Sequence, residues 1–254
     1  MATGIVHFDT ITEAAGGTTG NVIDTGSVRA STVSVAQSAV AGAKTFAQIK
    51  SEVARYVMAP DSERVRDVAG DGIVDAVRRI NSREWEQLLT PVEIALEENV
   101  REYKVPGNFK APRTLQLLLL DRKPTGYLQY MDPKTFQLNF ANVSPVGQPT
   151  HYTAHNANYS LVLTLNRKPS LDWVVSTPYM NLWYYRRLEL PRYDSDVLTY
   201  PPEWESFVAW WGKAYIASVY DPSRHVPSMQ MAQGIWQELI IGDKRVQEHD
   251  WSEG

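Results

Sequence analysis

Hydrophobic side chains recur at helical spacing in two neighbouring stretches near the start of the chain. The first begins at Thr45, which can cap a helix because Gln48 follows three positions later, and it predicts a helix as far as Met58. The second lies beyond Pro60 and predicts a longer helix, the clearest local signal in the sequence. Its small and apolar positions form one stripe: Val65, Val68, Ala69, Gly72, Ile73, Ala76, Val77 and Ile80.

The hydrophobic period changes to two between residues 91 and 197, which predicts strands. Alternation over residues 92–96, a polar turn and a second stretch at 100–105 predict a hairpin. Further strands are predicted at residues 115–120, 159–165 and 173–185, with a helical turn at 132–136 and turns at 123–126 and 146–149. This part of the chain is therefore predicted to form a β module.

Helical spacing returns after the Pro201-Pro202 pair. The apolar face predicted for this helix contains Trp204, Phe207, Val208, Trp211, Tyr215 and Val219. The Asp221-Pro222 pair ends it, and a last helix is predicted from Pro227 to about Val246. Helices thus lie on both sides of the strands. The predicted fold class is α+β, a helical bundle formed by the N- and C-terminal helices with a central antiparallel β module inserted.

The first 44 residues follow neither period. They carry only five charged side chains and are rich in Gly, Ser, Thr, Ala and Val. Such a segment cannot bury enough apolar surface to offset its own ordering entropy. We predict an extended N-terminal arm held by a partner or by a neighbouring copy, with a simple surface strand as the alternative. The predicted divisions are the arm at 1–44, the first part of the helical bundle at 45–90, the β module at 91–197, and the second part of the bundle with a C-terminal tail at 198–254.

Composition removes several classes of protein from consideration. Hydrophobic residues make up 43% of the chain and charged residues 21%, as in ordinary globular proteins. The absence of cysteine excludes disulfides, thiolate catalysis and Cys-based zinc sites. No apolar stretch approaches the roughly 20 residues of a membrane helix, and the N-terminus lacks a secretory pattern. A net charge of -4 argues against a general nucleic-acid binder held by phosphate contacts.

Candidate chemical groups are few, and each has a structural explanation. His151 and His155 stand four positions apart, as metal ligands do on a helix, but the surrounding sequence is typical of strands and turns. Asp194 and Asp196 could hold a divalent cation or form a capped turn. Neither a phosphate-binding glycine loop nor a nucleophile elbow occurs. We therefore predict no catalytic residues, no metal and no cofactor.

Aromatic residues are concentrated between Trp173 and Trp211, a segment that holds eleven of the 27 in the chain. They could fill a core, anchor a protein interface or stack on sugars or bases. Most aromatics at helical or strand spacing belong to a core, so we place the core first, the interface second and ligand stacking third.

Several short motifs follow one another along residues 45–220. They are Thr45-Phe46, the stretch 77–88 with Trp85, the segment from Tyr103 to Pro112 with its Pro106-Gly107-Asn108-Phe109 centre, Gly147-Gln148-Pro149-Thr150-His151-Tyr152, Leu182-Trp183-Tyr184-Tyr185-Arg186-Arg187, Tyr200-Pro201-Pro202-Glu203-Trp204 and Gly212-Lys213-Ala214. Their order and spacing resemble the head-to-tail adaptor (connector) proteins of tailed bacteriophages, including those similar to tail tubular protein A of short-tailed phages.

The resemblance implies a structural protein without catalytic residues. It implies a homo-oligomeric ring of twelve copies that docks on the portal protein, connects tail or nozzle proteins, and lines a channel. The genome would pass through this channel without sequence-specific DNA binding. The resemblance also implies a place at the head-tail junction of the virion after assembly in the host cytoplasm, with no membrane partner.

Two alternatives remain open at this point. The chain could be another neck or tail subunit, such as a stopper or tube protein. It could also be a glycan-binding β module, in which exposed Tyr and Trp side chains stack on sugar rings. Contact outside the subunit is predicted for apolar side chains near the end of the chain: Trp236, Ile240, Ile241 and Trp251.

Overall fold

The computed structural model describes residues 44–140, 145–157 and 160–250, so the predicted N-terminal arm lies outside it except for Lys44. The described residues form six α-helices and seven strands, which confirms the α+β class. The helices are α1 Phe46–Ala54, α2 Glu63–Asn81, α3 Pro133–Phe140, α4 Leu171–Ser176, α5 Glu205–Tyr220 and α6 Pro222–Asp250. The strands are β1 Leu89–Ala95, β2 Glu102–Lys104, β3 Phe109–Leu118, β4 Pro124–Tyr130, β5 His151–Ala157, β6 Ser160–Leu165 and β7 Tyr179–Arg186.

The first helix begins at the capping box that its sequence predicts. The Gln48 N–H donates to the Thr45 hydroxyl at 3.3 Å, and the Thr45 N–H donates to the Gln48 side chain at 2.8 Å. A 3-10 turn at Arg55–Val57 extends the helix, and Met58 ends it in the left-handed region, at φ 59°. The stripe predicted for α2 is also confirmed, since all but one of its residues are buried.

The strands form one sheet in the order β1-β7-β3-β4-β5-β6-β2. The hairpin predicted at 92–105 is wrong, because β1 pairs with β7 and β2 pairs with β6, at opposite edges of the sheet. Alternation along a segment indicates a strand but does not identify its partner. The sheet is antiparallel except where β4 meets β5, a parallel contact of two residue pairs. The connection through α3 makes this parallel pairing possible.

Two other strand predictions need correction. Residues 173–176 lie in α4 rather than in a strand, and β7 begins only at Tyr179. The end of α4 is fixed by the Thr177 N–H, which donates to the carbonyl of Trp173 at 2.8 Å. The sequence also does not predict β4, because Pro124 and Gly126 are typical of turns. Pro124 is tolerated there because it is the first residue of the strand.

Helix α5 contacts α1, α2 and α6, and the four helices enclose one hydrophobic cluster. The contact with α2 is close: a Cβ atom at Gly72 would lie 2.7 Å from Cβ of Tyr215 and 3.2 Å from Cα of Gly212. The largest fully buried side chains of this helical cluster are Trp85, Trp204, Phe207, Ile73, Ile80 and Leu88. Glycine at position 72 therefore sets the distance between the two helices.

The C-terminal helices differ in detail from their prediction. Tyr215 is 38% and Val219 56% exposed, although the predicted apolar face includes both. Small residues of α5, Gly212 among them, are buried instead, because the helix has neighbours on several sides. Helix α6 begins at Pro222, five residues before the predicted start, and Pro227 lies inside it.

A second hydrophobic cluster lies within the sheet. Its fully buried members are Leu115, Tyr152, Leu163, Leu165, Met180 and Leu182. None of its residues belongs to the helical cluster. The chain enters the sheet at Leu89 and leaves it near Tyr185, and these two residues are partners in the β1–β7 ladder. Both connections between the helical and strand segments therefore lie side by side.

Candidate functional site

The two histidines considered for metal chemistry lie on a strand and not on a helix. His151 and His155 lie on β5, where the His151 ring is 2.9 Å from the Thr150 hydroxyl and packs near Phe140. Within the described parts of the chain, no group of three or more His, Cys, Asp or Glu residues is arranged to hold a metal ion. The described helices are also too short or too polar to span a membrane.

Asp194 and Asp196 form a capped turn beside the start of α1. The Asp196 carboxylate accepts the backbone N–H groups of Tyr193 at 2.8 Å and Arg192 at 2.7 Å. These bonds hold the pKa of Asp196 below its usual value, with Tyr193 contributing most. The carbonyl of Asp196 accepts the N–H of Phe46 at 2.8 Å, and the Asp194 carboxylate pairs with Lys50. The turn thus satisfies free donors at the N-terminus of α1.

A tryptophan cluster joins α2, α5 and α6. It contains Trp85, Trp204, Phe207, Trp211 and Trp236, with ring centroids 4.8 to 5.6 Å apart in the contacting pairs. The indole N–H groups of two members have partners: Trp85 donates to the carbonyl of Ile80 at 2.8 Å, and Trp211 donates to the Asp75 carboxylate at 2.9 Å. Most of the aromatic surplus near residue 204 is therefore interior packing, as the spacing predicts.

Arginine side chains of α2 and of the turn after it cover this cluster. The Arg79 guanidinium lies 4.7 Å from the Trp211 ring centroid and 5.4 Å from that of Trp236. Arg83 lies 5.2 Å from the Trp85 ring. The arginines at the end of α2 and just after it thus contact aromatic faces of the same subunit.

The four predicted contact residues occupy different environments. Trp236 is 8% exposed and belongs to the interior of the helical cluster. Ile240 is partly buried and packs against that cluster, whereas Ile241 is 50% exposed. Trp251 lies outside the described residues. Of the three that are described, Ile241 therefore offers the largest free side chain surface for a partner.

A buried polar junction, which no local sequence pattern indicates, fastens α6 to the start of the sheet. Asp243 is almost fully buried, and its carboxylate accepts the N–H of Glu86 at 2.8 Å. Arg83 lies 3.5 Å from the second carboxylate oxygen. The Glu86 side chain accepts the Tyr185 hydroxyl at 2.6 Å. Burial raises the pKa of Asp243, although the Glu86 N–H and Arg83 favour its ionised form.

A second ionic contact joins residue 44 to two helices. The Lys44 ammonium lies 2.5 Å from the Glu205 carboxylate of α5 and 2.7 Å from the Glu52 carboxylate of α1. Hydrogen bonding to Glu205, and then to Glu52, raises the pKa of Lys44. Because all three side chains are more than one third exposed, solvent screens this contact and it contributes little to stability. Its effect is to fix where the chain enters α1.

Two grooves carry exposed apolar side chains. The helical groove, of 330 Å³, is lined by Val57, Met58, Val65 and Tyr220, and Met58 is 81% exposed. The strand groove, of 450 Å³, lies between β4 and residues 148–151, with Trp173 and Thr177 on its wall. Grooves that carry exposed apolar side chains, here Met58 and Tyr127, are candidate surfaces for contact with other proteins.

Residues 44–252 match the family model described as SU10 adaptor protein. No curated protein matches the chain. The matched range spans the helical segments and the whole sheet, so the match is not confined to one motif. It supports the resemblance to phage head-to-tail adaptors, while the narrower grouping with tail tubular protein A stays a prediction. Because the match covers far more than half of its length, the chain belongs to the SU10 adaptor protein family, a family of phage structural adaptors.

Proposed function

We propose that the chain is the head-to-tail adaptor of a tailed phage, and that twelve copies form a ring between the portal and the tail. The observation that carries the proposal is the family match over residues 44–252. Membership of an adaptor family implies contact with portal and tail proteins, a place in the virion neck, and a structural rather than an enzymatic role. The ring, its docking on the portal and its assembly in the host cytoplasm are the finer parts of the proposal.

Ring closure requires two different surface patches on each subunit that fit one another. The helical groove around Met58 and the strand groove beside β4 are two different surfaces of the subunit, built from different elements of the chain, and each can receive a segment of a neighbouring copy. A self-complementary patch would instead favour an isolated dimer. Two different grooves on one subunit favour contacts between unlike surfaces, which close a ring, over a pairwise assembly.

The charge of the chain supports passage of DNA without retention. Each copy carries a net charge of -4, so a ring of many copies is strongly acidic overall. An acidic assembly gains little from phosphate contacts, since those require clustered Lys and Arg. In the proposed channel the genome slides past a surface that does not hold it.

We also propose that the sheet is an insertion into the helical bundle, with the boundaries predicted from the sequence. Its support is the pairing of Leu89 with Tyr185, which brings the entry and exit of the strand segment together. The Asn81 side chain also bonds both backbone groups of Leu188, at 2.8 and 2.9 Å, just after the chain leaves β7.

Mass photometry of the purified full chain, alone and with portal protein, tests the ring. The expected ring contributes about 344 kDa, twelve times the 28.7 kDa chain, either as a free particle or as an addition to the mass of the portal. Electron-microscopy class averages of the same sample should show twelvefold rotational symmetry. A chain that stays monomeric at micromolar concentration both alone and with portal contradicts the proposal.

A further inference from the structure

Strand β4 has a complete neighbour on one side only. Over its first five residues it pairs with β3, from Pro124 opposite Leu118 to Leu128 opposite Leu115. On its other side β5 pairs only with Gln129 and Tyr130. Among the described residues, positions 124–128 of β4 therefore form an open sheet edge in the middle of the strand order.

The backbone of Tyr127 faces this open side. The Gln129 N–H donates to Thr150 at 3.0 Å and the Met131 N–H donates to Tyr152 at 2.9 Å, so odd-numbered residues of β4 direct their N–H groups toward β5. Directions alternate along a strand, and Tyr127 has the same parity. The β-bulge near Leu118 lies on the far side of Gly126 and does not disturb it. The N–H and carbonyl of Tyr127 are thus available to another strand.

The open edge forms one wall of the strand groove. Residues 148–150, which lead into β5, lie on the opposite side. The groove therefore separates β4 from this segment until the two strands pair at Gln129 and Tyr130. Aromatic side chains flank it, with Tyr127 64% exposed and Trp173 partly buried. Among the described residues, no Asp, Glu, Lys or Arg lines the groove. It suits an uncharged extended peptide that bonds through its backbone and places alternate side chains against the aromatic rings.

The chain itself contains a segment of this chemistry. Residues 30–43, which lie outside the described part, carry no charged side chain, and Thr32, Val33 and Val35 in this segment are β-branched residues, which favour strands. An isolated segment of this kind lacks a hydrophobic surface large enough to fold alone. We propose that residues 30–43 of a neighbouring copy add to the open edge of β4 as an extra strand. This inference rests on the proposed ring, in which every groove has a neighbouring arm.

Cysteine cross-linking tests the contact, because the chain has no cysteine of its own. Tyr127→Cys chains are mixed with Val33→Cys or with Val35→Cys chains, assembled as full-length protein and oxidised. Paired strands bring Cβ atoms within disulfide distance, so one of the two mixtures should give mixed dimers. Tyr193→Cys, at another exposed tyrosine, is the matched control. We expect at least about fivefold more mixed dimer with Tyr127→Cys than with this control.

The two outcomes that overturn the inference are distinct. Equal cross-linking from Tyr127→Cys and Tyr193→Cys means that the arm does not occupy the groove. A chain carrying Tyr127→Cys together with Val33→Cys or Val35→Cys tests the source of the arm. If it gives only internally cross-linked monomers, the groove is filled by its own arm and not by a neighbour.

Hydrogen exchange supplies a measurement that needs no cysteine. Prolines in place of Val33 and Val35 remove two strand donors from the arm without shortening it. In assembled wild-type protein the Tyr127 N–H, resolved as a single amide, should exchange at least about tenfold more slowly than in this double variant, because a partner strand protects it. The free edge of β1, residues 89–95, is the control and should exchange equally in both. Equal exchange of the Tyr127 N–H in two intact rings overturns this inference alone, whereas absence of any ring contradicts the proposed function.

Discussion

At the scale of single residues, the aromatic side chains divide into an interior set and an exposed set. The tryptophan cluster has its rings in mutual contact, bonded indole N–H groups at Trp85 and Trp211, and arginines over its faces. Tyr127 has a largely free surface instead. The number of aromatic residues alone therefore does not distinguish rings that stabilise the core from rings that could contact a partner. Partners and exposure of each ring make the distinction.

Trp236 and Ile241 should respond in opposite ways to substitution. Trp236→Ala removes a ring packed against Trp85 and Phe207, so we expect a loss of about 3 to 5 kcal/mol in the free energy of unfolding, measured with urea. Ile241→Asp changes a half-exposed side chain and should alter that energy by less than about 0.5 kcal/mol. In the proposed ring it should weaken assembly, measured by mass photometry. A marked loss of stability in Ile241→Asp would place that side chain in the interior.

Two aspartates should give stability changes of opposite sign with pH. Burial raises the pKa of Asp243, so ionising it is harder in the folded than in the unfolded chain. The contribution of Asp243 to stability is most favourable at pH values below 3.8, the ordinary pKa of aspartate. It declines as the pH rises through the pKa of Asp243 in the folded chain. Asp243→Asn keeps an acceptor for the Glu86 N–H. We therefore expect the stability of this variant, relative to wild type, to increase from about pH 4 to neutrality.

Asp196 serves as the matched control because its pKa is lowered by the N–H groups of Tyr193 and Arg192. The stabilising contribution of Asp196 is present at pH values above 3.8, the ordinary pKa of aspartate. It is lost as the pH falls through the pKa of Asp196 in the folded chain. The advantage of wild type over Asp196→Asn should therefore shrink below about pH 4. Urea unfolding at a series of pH values measures both variants. Parallel pH profiles for the two would contradict the assignment of these environments.

At the scale of elements, the crossing of α2 and α5 depends on the absence of a side chain at Gly72. The nearest atoms to a Cβ there include Cβ of Tyr215, which is bonded to the α5 backbone, and Cα of Gly212, which is part of it. Neither can rotate away. A methyl group at position 72 must therefore separate the helices, whereas the same group at an open glycine of α6 displaces nothing.

Gly72→Ala and Gly234→Ala form a matched pair on helices. Gly72→Ala should lower the free energy of unfolding by about 1 to 3 kcal/mol, because overpacking exceeds the gain in helix propensity. A Cβ at Gly234 would meet no described atom within 4 Å, so Gly234→Ala should raise that energy by about 0.5 to 1 kcal/mol. Thermal unfolding followed by circular dichroism measures both. If Gly72→Ala is as stable as wild type, the helices do not cross as closely as the contact distances indicate.

The helices and strands differ in how well their sequences predict them. Thr45 with Gln48 and the stripe of α2 predict their helices correctly, because caps and helical periods are local signals. The hairpin at 92–105 is wrong because strand partners are chosen by the whole sheet: β1 joins β7, which lies far along the chain. The Asp243 junction is likewise invisible, since its partners are distant in sequence. Local patterns predict elements, and distant contacts decide their arrangement.

At the scale of the whole molecule, the two hydrophobic clusters share no residue, and the chain enters and leaves the sheet beside one ladder pair, Leu89 and Tyr185. This arrangement suggests a division in which the helices provide stability and the sheet provides a surface for contact. In the proposed insertion, the helical cluster is complete without the sheet, and the sheet carries a contact surface such as the strand groove. In the proposed adaptor, sequence changes at the groove would then alter assembly without unfolding the helices.

Replacing the sheet by a turn tests this separation. Residues 90–184 are removed and Leu89 is joined to Tyr185 through Asn-Gly, a pair that forms two-residue hairpin turns. Because Leu89 and Tyr185 are ladder partners, the turn should close without strain. The shortened protein retains the tryptophan cluster, the Asp243 contact with Glu86 and both bonds between Asn81 and Leu188. We expect a cooperatively unfolding helical protein with near-ultraviolet circular dichroism from its packed tryptophans.

Adding Asn81→Ala to the shortened protein tests whether the contact between Asn81 and Leu188 holds its N-terminal and C-terminal helices together. This change removes the bonds to the N–H and carbonyl of Leu188, which anchor the returning chain to α2. Leaving those partly buried groups unpaired should cost about 1 to 3 kcal/mol. The shortened protein should therefore unfold at lower urea concentration with the substitution than without it. If the shortened protein has helical far-ultraviolet dichroism but no near-ultraviolet signal, the helices need the sheet for packing, and the proposed insertion into an independent bundle is wrong.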